Sequence, residues 1–271
     1  MPTASARPNA TPDPRPGDAY VQSFARGLEV IRSFSADAPR QTLTQVAART
    51  GLTRAGARRI LLTLQALGYV ESDERQFALT PRILDLGFAY LSSMPMWNVA
   101  EPVMEALVEQ VKESCSAGVL EGTDIVYVLR VSTRKIMRNG LGIGSRLPAY
   151  CTSIGRMLLA GRPDDEVVGL LKSTMLEART RHTVVDIDAL LAKVQQARRQ
   201  GWCLVNQELE EGLVSIAAPV IDRAGRTIAA LNISGQANRT APRQMQETML
   251  PALREAAREV SRRLQAGAGP T

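Results

Sequence analysis

The sequence predicts an α+β chain in two parts, and three observations carry that expectation. Residues 42–70 (TLTQVAARTGLTRAGARRILLTLQALGYV) read as two short amphipathic helices joined by a glycine turn. Two strand-like runs, Tyr69-Val70-Glu71 and Phe77-Ala78-Leu79, follow directly, separated by the polar stretch 72–76. Beyond residue 96 the order is strand, strand, helices, strand, strand, helix, which suits an antiparallel sheet backed by helices. The first two observations describe a winged helix-turn-helix, a helix pair with a β-hairpin after it. The expected division is a disordered tail over 1–17, the winged helix-turn-helix over 18–80, a linker helix over 81–95 and a second domain over 96–267.

Five prolines among small polar residues mark the tail. A first helix over 20–34 has Phe24, Leu28, Ile31 and Val21 as its expected buried stripe, behind the helix pair. Asp37-Ala38-Pro39 is a turn. Thr42 caps the next helix, with Gln45 completing a capping box, and Gly51 ends it. Thr53 caps the second helix of the pair, whose stripe is Ala57, Ile60, Leu61, Leu64 and Leu67. Thr80-Pro81 opens the linker helix, which runs to about residue 91. In the second domain, helices are expected over 98–113, 152–160, 164–171, 187–199 and 242–265. Strands are expected over 116–121, 124–132, 135–143, 202–205, 214–221 and 227–234, with a hairpin turn at 222–225.

The outer face of the second helix of the pair carries Arg54, Arg58 and Arg59, with Arg49 just before the turn and no acid among them. Such a helix suits a DNA major groove, where arginine forks the O6 and N7 of guanine. Thr42, Thr53, Arg54, Ala55, Arg58 and Arg59 are the candidate DNA-contacting residues. Arg75, near the wing tip, is the candidate for sugar–phosphate. A solvated basic face on an ordinary helical hairpin is the competing reading.

Bulk properties narrow the classes. A length of 271 residues with 45% hydrophobic content supports two packed domains. A net charge of +6 suits a polyanionic partner. No apolar run approaches the ~18 residues of a membrane span, and no apolar signal segment opens the chain, so a cytoplasmic protein is expected. Cys115, Cys151 and Cys203 are scattered and odd in number, which points to reduced thiols. The lone histidine, His182, excludes His-rich metal sites and most triads, so no metal, cofactor or catalytic residue is expected. Aromatic content of 4% disfavours stacking platforms for single-stranded nucleic acid.

Several segments carry a resemblance. Ala25-Arg26-Gly27-Leu28, GLTRAGARRILLTL and GYV lie in the N-terminal part. LPAYCTSIGRMLLAG (147–161), GWCLVNQELEEGLVSIAAPV (201–220) and ISG (233–235) lie in the C-terminal part. Over about residues 20–265 the chain resembles the IclR family of bacterial transcription regulators. RVSTRKIM followed by GSRLPAYCTS resembles its PcaR/PcaU/PobR branch, which controls aromatic-acid catabolism by the protocatechuate, 4-hydroxybenzoate and β-ketoadipate routes. The resemblance implies a GAF-like effector domain after the winged helix, a homodimer or tetramer, and a pseudo-palindromic operator in double-stranded DNA. Two departures from the wider family stand out. Cys151 replaces a common histidine, and Val205-Asn206 replace common acids, which eases acceptance of an anionic effector.

The resemblance also implies an effector pocket around Cys151, Thr152 and Ser153, with Asn206, Ser215, Asn232 and Ser234. The residues agree in kind. Thr152 and Ser153 open a helix, whose free N–H groups favour an anion. Asn232 and Ser234 alternate with Leu231 and Ile233, so they share one strand face. Arg134, Arg138 or Arg146 is the candidate cation for a small carboxylic-acid effector, and Tyr150 or Met137 the candidate surface for a ring. The competing reading makes Thr152 and Ser153 plain helix caps and the arginines surface residues.

Other signals carry less. Gly140-Leu-Gly142-Ile-Gly144-Ser145 lacks both the third glycine of a dinucleotide loop and a Walker lysine, and reads as a flexible connection beside the pocket. Glu208, Glu210 and Glu211 read as a charged turn rather than paired acids. Cys151 at a helix start invites a lowered pKa and redox sensing, as a minor alternative. The expectation is a ligand-responsive DNA-binding regulator. The alternative from another class is an enzyme acting on a small acid, with an appended basic domain.

Overall fold

The computed structural model describes residues 20–73, 75–92, 96–133 and 141–267. The chain divides into two compact units between Tyr90 and Leu91.

In the N-terminal unit, α1 (Gln22–Arg32), α2 (Leu43–Thr50) and α3 (Arg54–Ala66) enclose a core of Val30, Val46, Ala47, Ala57, Leu61, Leu64 and Val70. Local chemistry sets the helix ends. Thr42 and Gln45 form the reciprocal capping box at α2. Gly51 then adopts φ +68, a left-handed turn that a Cβ would strain. Strands β1 (Arg40–Thr42), β2 (Val70–Ser72) and β3 (Gln76–Leu79) form an antiparallel sheet in the order β1-β3-β2. The β2–β3 hairpin is the expected wing. Strand β1 was not foreseen; three residues leave no alternation to detect, and pairing with β3 creates it. A 3-10 turn, Pro81–Ile83, leads into α4 (Leu84–Ser92).

The α1 stripe departs from expectation. Val30 is fully buried, whereas Val21, Phe24 and Leu28 are 61%, 68% and 43% exposed. The small core is filled by Val30 with Ile31 and Phe34 packed against it, and the face carrying Phe24 and Leu28 is left outside.

The C-terminal unit is a three-layer sandwich. Its six strands are β4 (Ser114–Glu121), β5 (Asp124–Val131), β6 (Arg146–Pro148), β7 (Cys203–Asn206), β8 (Leu213–Ile221) and β9 (Thr227–Gln236). All pair antiparallel, in the order β6-β5-β4-β9-β8-β7. On one face α5 (Met96–Val111) and α10 (Leu250–Gly267) cover Cys115, Ile216, Leu231 and Ile233. On the other face α6 (Ser153–Ala160), α7 (Asp164–Ser173) and α8 (Ile187–Gln200) pack over Ile125, Tyr127, Ala217 and Ala230.

Three further differences have physical causes. The strand expected over 135–143 lies mostly outside the described residues. Its described part, residues 141–143, holds no strand, and the chain turns just after it at Gly144, φ +86, whose N–H bonds the Tyr127 carbonyl at 2.7 Å. Among the described residues the edge strand beside β5 is β6, too short to announce itself. The expected 242–265 helix begins instead as one turn, α9 (Pro242–Gln244), then a π-helical turn over Met245–Met249, before α10. Pro251 has no N–H for the preceding turn and would crowd the carbonyl four residues back, so a wider turn there relieves the clash.

Candidate functional site

The candidate nucleic-acid face is built on α3. Ala57, Leu61 and Leu64 hold the helix to the core, which turns Arg54, Ala55, Arg58 and Arg59 outward, all exposed. No ion pair occupies Arg49, Arg54, Arg58 or Arg59 among the described residues. Thr53 is exposed, and its hydroxyl accepts the Gly56 N–H at 3.1 Å. Thr42 is half-buried, with its hydroxyl committed to Gln45. Arg75 is exposed on the wing turn. There the Asp73 carboxylate accepts the N–H of Gln76 at 2.8 Å and of Arg75 at 3.2 Å, which holds its pKa below the usual carboxylate range. Arg40 pairs with Glu71 and Asp73, so these two acids are partly neutralised.

The second candidate site is a cavity between the sheet and the start of α6. Helix α6 is buried along its whole length, and its approach to the preceding turn is extremely close. A Cβ on Gly155 would stand 2.2 Å from the Ala149 carbonyl oxygen. Cys151, Thr152 and Ser153, at the start of this helix, all line the cavity. Ser215, Asn232 and Ser234 line it from β8 and β9. The enclosed space is about 30 Å³, room for about one water molecule. An organic effector therefore requires the cavity to widen.

The lining is chemically mixed. Thr152 caps α6, accepting the Gly155 N–H at 3.1 Å and donating to the Pro148 carbonyl at 3.0 Å. The Ser153 hydroxyl, 1% exposed, has no hydrogen-bond partner among the described residues. Asn232 Oδ1 accepts the Ser116 N–H at 3.2 Å. Burial pushes the Cys151 thiol up to about 11, opposite to the lowering expected at a helix start, which disfavours the thiolate at neutral pH.

Two family descriptions match this chain. The IclR helix-turn-helix domain matches residues 23–74, and the bacterial transcriptional regulator IclR C-terminal domain matches residues 88–262. The chain belongs to the IclR family of transcriptional regulators. It is 43% identical over 246 residues to the Pca regulon regulatory protein of Pseudomonas putida, covering 90% of this chain and 84% of that one. It is 35% identical over 260 residues to the p-hydroxybenzoate hydroxylase transcriptional activator of Acinetobacter baylyi, covering 94% and 96%. An IclR homologue from Microbacterium hydrocarbonoxydans, crystallised with 4-hydroxybenzoate, superposes with a TM-score of 0.79 at 27% identity, over 90% of this chain and 99% of that one. These relationships place the chain in the aromatic-acid branch of the family. No helix among the described residues is long and apolar enough to cross a membrane.

In this IclR-family regulator the structure brings together six of the expected effector residues: Cys151, Thr152, Ser153, Ser215, Asn232 and Ser234. Others lie elsewhere. Asn206 alternates to the opposite sheet face, paired in register with Val214, while its neighbour Val205 faces the cavity. Arg146 is exposed on β6 and paired with Glu121 at 2.8 Å and Asp124 at 3.3 Å. Tyr150 points away from the cavity lining, its hydroxyl donating to the Glu177 carbonyl at 2.7 Å. Burial raises its pKa. Arg134, Met137 and Arg138 lie outside the described residues.

Sequence reading missed two groups. Tyr127 and Arg130 both line the cavity although an odd step separates them. A bulge explains this: Ala117 faces Leu129 but Gly118 faces Tyr127, so Val128 is an extra residue that reverses the alternation. The second group is the pair Arg156–Glu208. Glu208 is not part of a charged surface turn. It is buried and takes both ends of the Arg156 fork, at 2.7 and 2.5 Å, while Arg156 Nε donates to the Tyr150 carbonyl at 2.8 Å. Only Glu210 and Glu211 of that acid run are exposed.

Proposed function

We propose that the protein senses a small aromatic or related organic acid in the C-terminal cavity and adjusts its grip on a pseudo-palindromic operator. The observation that carries the sensing reading is the Ser153 hydroxyl, buried, without a partner among the described residues and lining a cavity whose sheet wall is polar. A buried hydroxyl without a partner is costly, and a ligand oxygen would satisfy it. The relatives support the ligand class: one is named for activating p-hydroxybenzoate hydroxylase, and another was crystallised with 4-hydroxybenzoate.

On DNA, Arg54, Arg58 and Arg59 enter the major groove with Thr53 and Ala55, and Arg75 meets the backbone beside it. Two copies of α3 then read two half-sites. The exposed apolar residues Val21, Phe24, Leu28, Leu67 and Leu86 border one groove in the N-terminal unit, which favours dimerisation through that unit. The effector acts through its differential affinity for the two DNA-binding states.

The test combines two measurements. Full-length protein is melted with 4-hydroxybenzoate, protocatechuate, β-ketoadipate and cis,cis-muconate. An acid at a hundred times its dissociation constant adds about 2.7 kcal/mol of stability. The same acid must change the affinity for operator DNA. An acid that stabilises the protein yet leaves DNA binding untouched refutes the reading, as does the absence of any stabilising acid.

A further inference from the structure

We infer that Arg130 is the anchor for the effector's carboxylate. The inference rests on the acid-sensing reading above and gives its chemistry a residue.

Among the described residues that line the cavity, Arg130 is the one cation. Two other arginines of this unit are already paired. Arg156 is consumed by Glu208, and Arg146 by Glu121 and Asp124. Arg130 has no such partner: no carboxylate lies within ion-pair distance of it among the described residues. Its Nη1 donates to the neutral Ser116 hydroxyl at 3.1 Å. A guanidinium offers five N–H donors in a flat fork, a shape that matches the two oxygens of a carboxylate.

The cation is also held in place. Ser116, which takes Nη1, is fixed through its own N–H to Asn232 Oδ1 at 3.2 Å. The Tyr127 hydroxyl interacts with the Asn232 side chain in turn. Tyr127, Asn232, Ser116 and Arg130 thus form one connected row on the cavity side of the sheet. The β5 bulge at Val128 is what puts Tyr127 and Arg130 on that side together. A half-buried guanidinium positioned by neutral groups and facing no anion among the described residues leaves a place for one, which a ligand carboxylate fills.

The opposite wall completes the ligand's outline. Ile154, Val205, Leu209 and Leu213 present an apolar surface, and Ser153 adds its unpaired hydroxyl. No acid lines the cavity among the described residues. An organic acid therefore enters with its carboxylate on Arg130 and its carbon body toward α6.

The test is calorimetric titration of full-length wild type, Arg130→Gln and Arg130→Lys. The ligands are 4-hydroxybenzoate, protocatechuate and β-ketoadipate, with uncharged 4-hydroxybenzamide as control. The acid that wild type binds should weaken about a hundredfold with Arg130→Gln, because truncating one member of a buried charge pair exposes its full cost. Arg130→Lys should lose about tenfold, keeping the charge but not the fork. The amide should bind wild type and Arg130→Gln alike. Acid binding unchanged in Arg130→Gln overturns the anchor alone. Equal loss of acid and amide also overturns it, since Arg130 is then structural. If Arg130→Gln does not fold, Arg130→Lys decides, and undiminished acid affinity there overturns the fork. If wild type binds no acid, the sensing reading falls and takes the anchor with it.

Discussion

Replacing Glu208 with glutamine tests the internal frame of the effector unit. The Arg156 side chain is 1% exposed and that of Glu208 is 7% exposed. Both carboxylate oxygens receive the Arg156 fork, and Oε2 also accepts the Val184 N–H at 3.2 Å. Glutamine keeps the shape and one oxygen but removes the charge, so a buried guanidinium loses its counter-ion. Breaking such a pair from one side costs about 3–5 kcal/mol. The near-isosteric exchange places Glu208→Gln at the lower end, about 3 kcal/mol. In a unit of this size that lowers the melting temperature by about 6–12 °C. The assay is thermal and urea unfolding followed by circular dichroism. Removing both partners, as Arg156→Met with Glu208→Leu, eliminates the desolvation of two ions and should recover much of the loss. A Glu208→Gln shift below about 1 kcal/mol refutes the argument, as does a double variant less stable than either single one. Because Arg156 also holds the Tyr150 carbonyl at 2.8 Å, just before the cavity-lining Cys151, effector affinity should fall in parallel with stability.

Three other outcomes follow from the structure. Arg58→Ala should weaken operator binding by about 1–3 kcal/mol if Arg58 reads a base, with one operator position relaxed. A uniform loss with a shallower salt slope, in binding measured against salt, assigns it to phosphate instead. Gly155→Ala forces a Cβ against the Ala149 backbone, and should destabilise the effector unit by about 1–3 kcal/mol or more in urea titration. Cys151, with its pKa raised to about 11 by burial, is a neutral thiol at pH 7–8, so iodoacetamide should label it far more slowly in native protein than in urea; equal rates would contradict the buried site.

Much of the fold was legible in local chemistry. Thr42 with Gln45, Gly51 and Thr53 set the ends of α2 and α3, because caps and left-handed turns depend on residues within four positions. The 3–4 spacing of Ala57, Leu61 and Leu64 set which face α3 buries, and so left Arg54, Arg58 and Arg59 outside. Alternation likewise put Asn232 and Ser234 on one face of β9, the face that lines the cavity.

What the tertiary structure alone decided depends on contacts between distant segments. Whether Phe24 and Leu28 are covered within the unit depends on how much surface its core can take, which no helical periodicity states. Arg156 and Glu208 are 52 positions apart, and only the packing of α6 beneath the 207–211 turn makes them a pair. Arg130 joins Tyr127 because β5 carries one residue more than β4 can match at Val128. Period-two alternation assigns them opposite sides of the sheet, and a bulge arises only when two strands are paired. The amino-acid order therefore determined the helix ends, the basic face and the polar strand; the pairing of strands decided which arginine reaches the cavity.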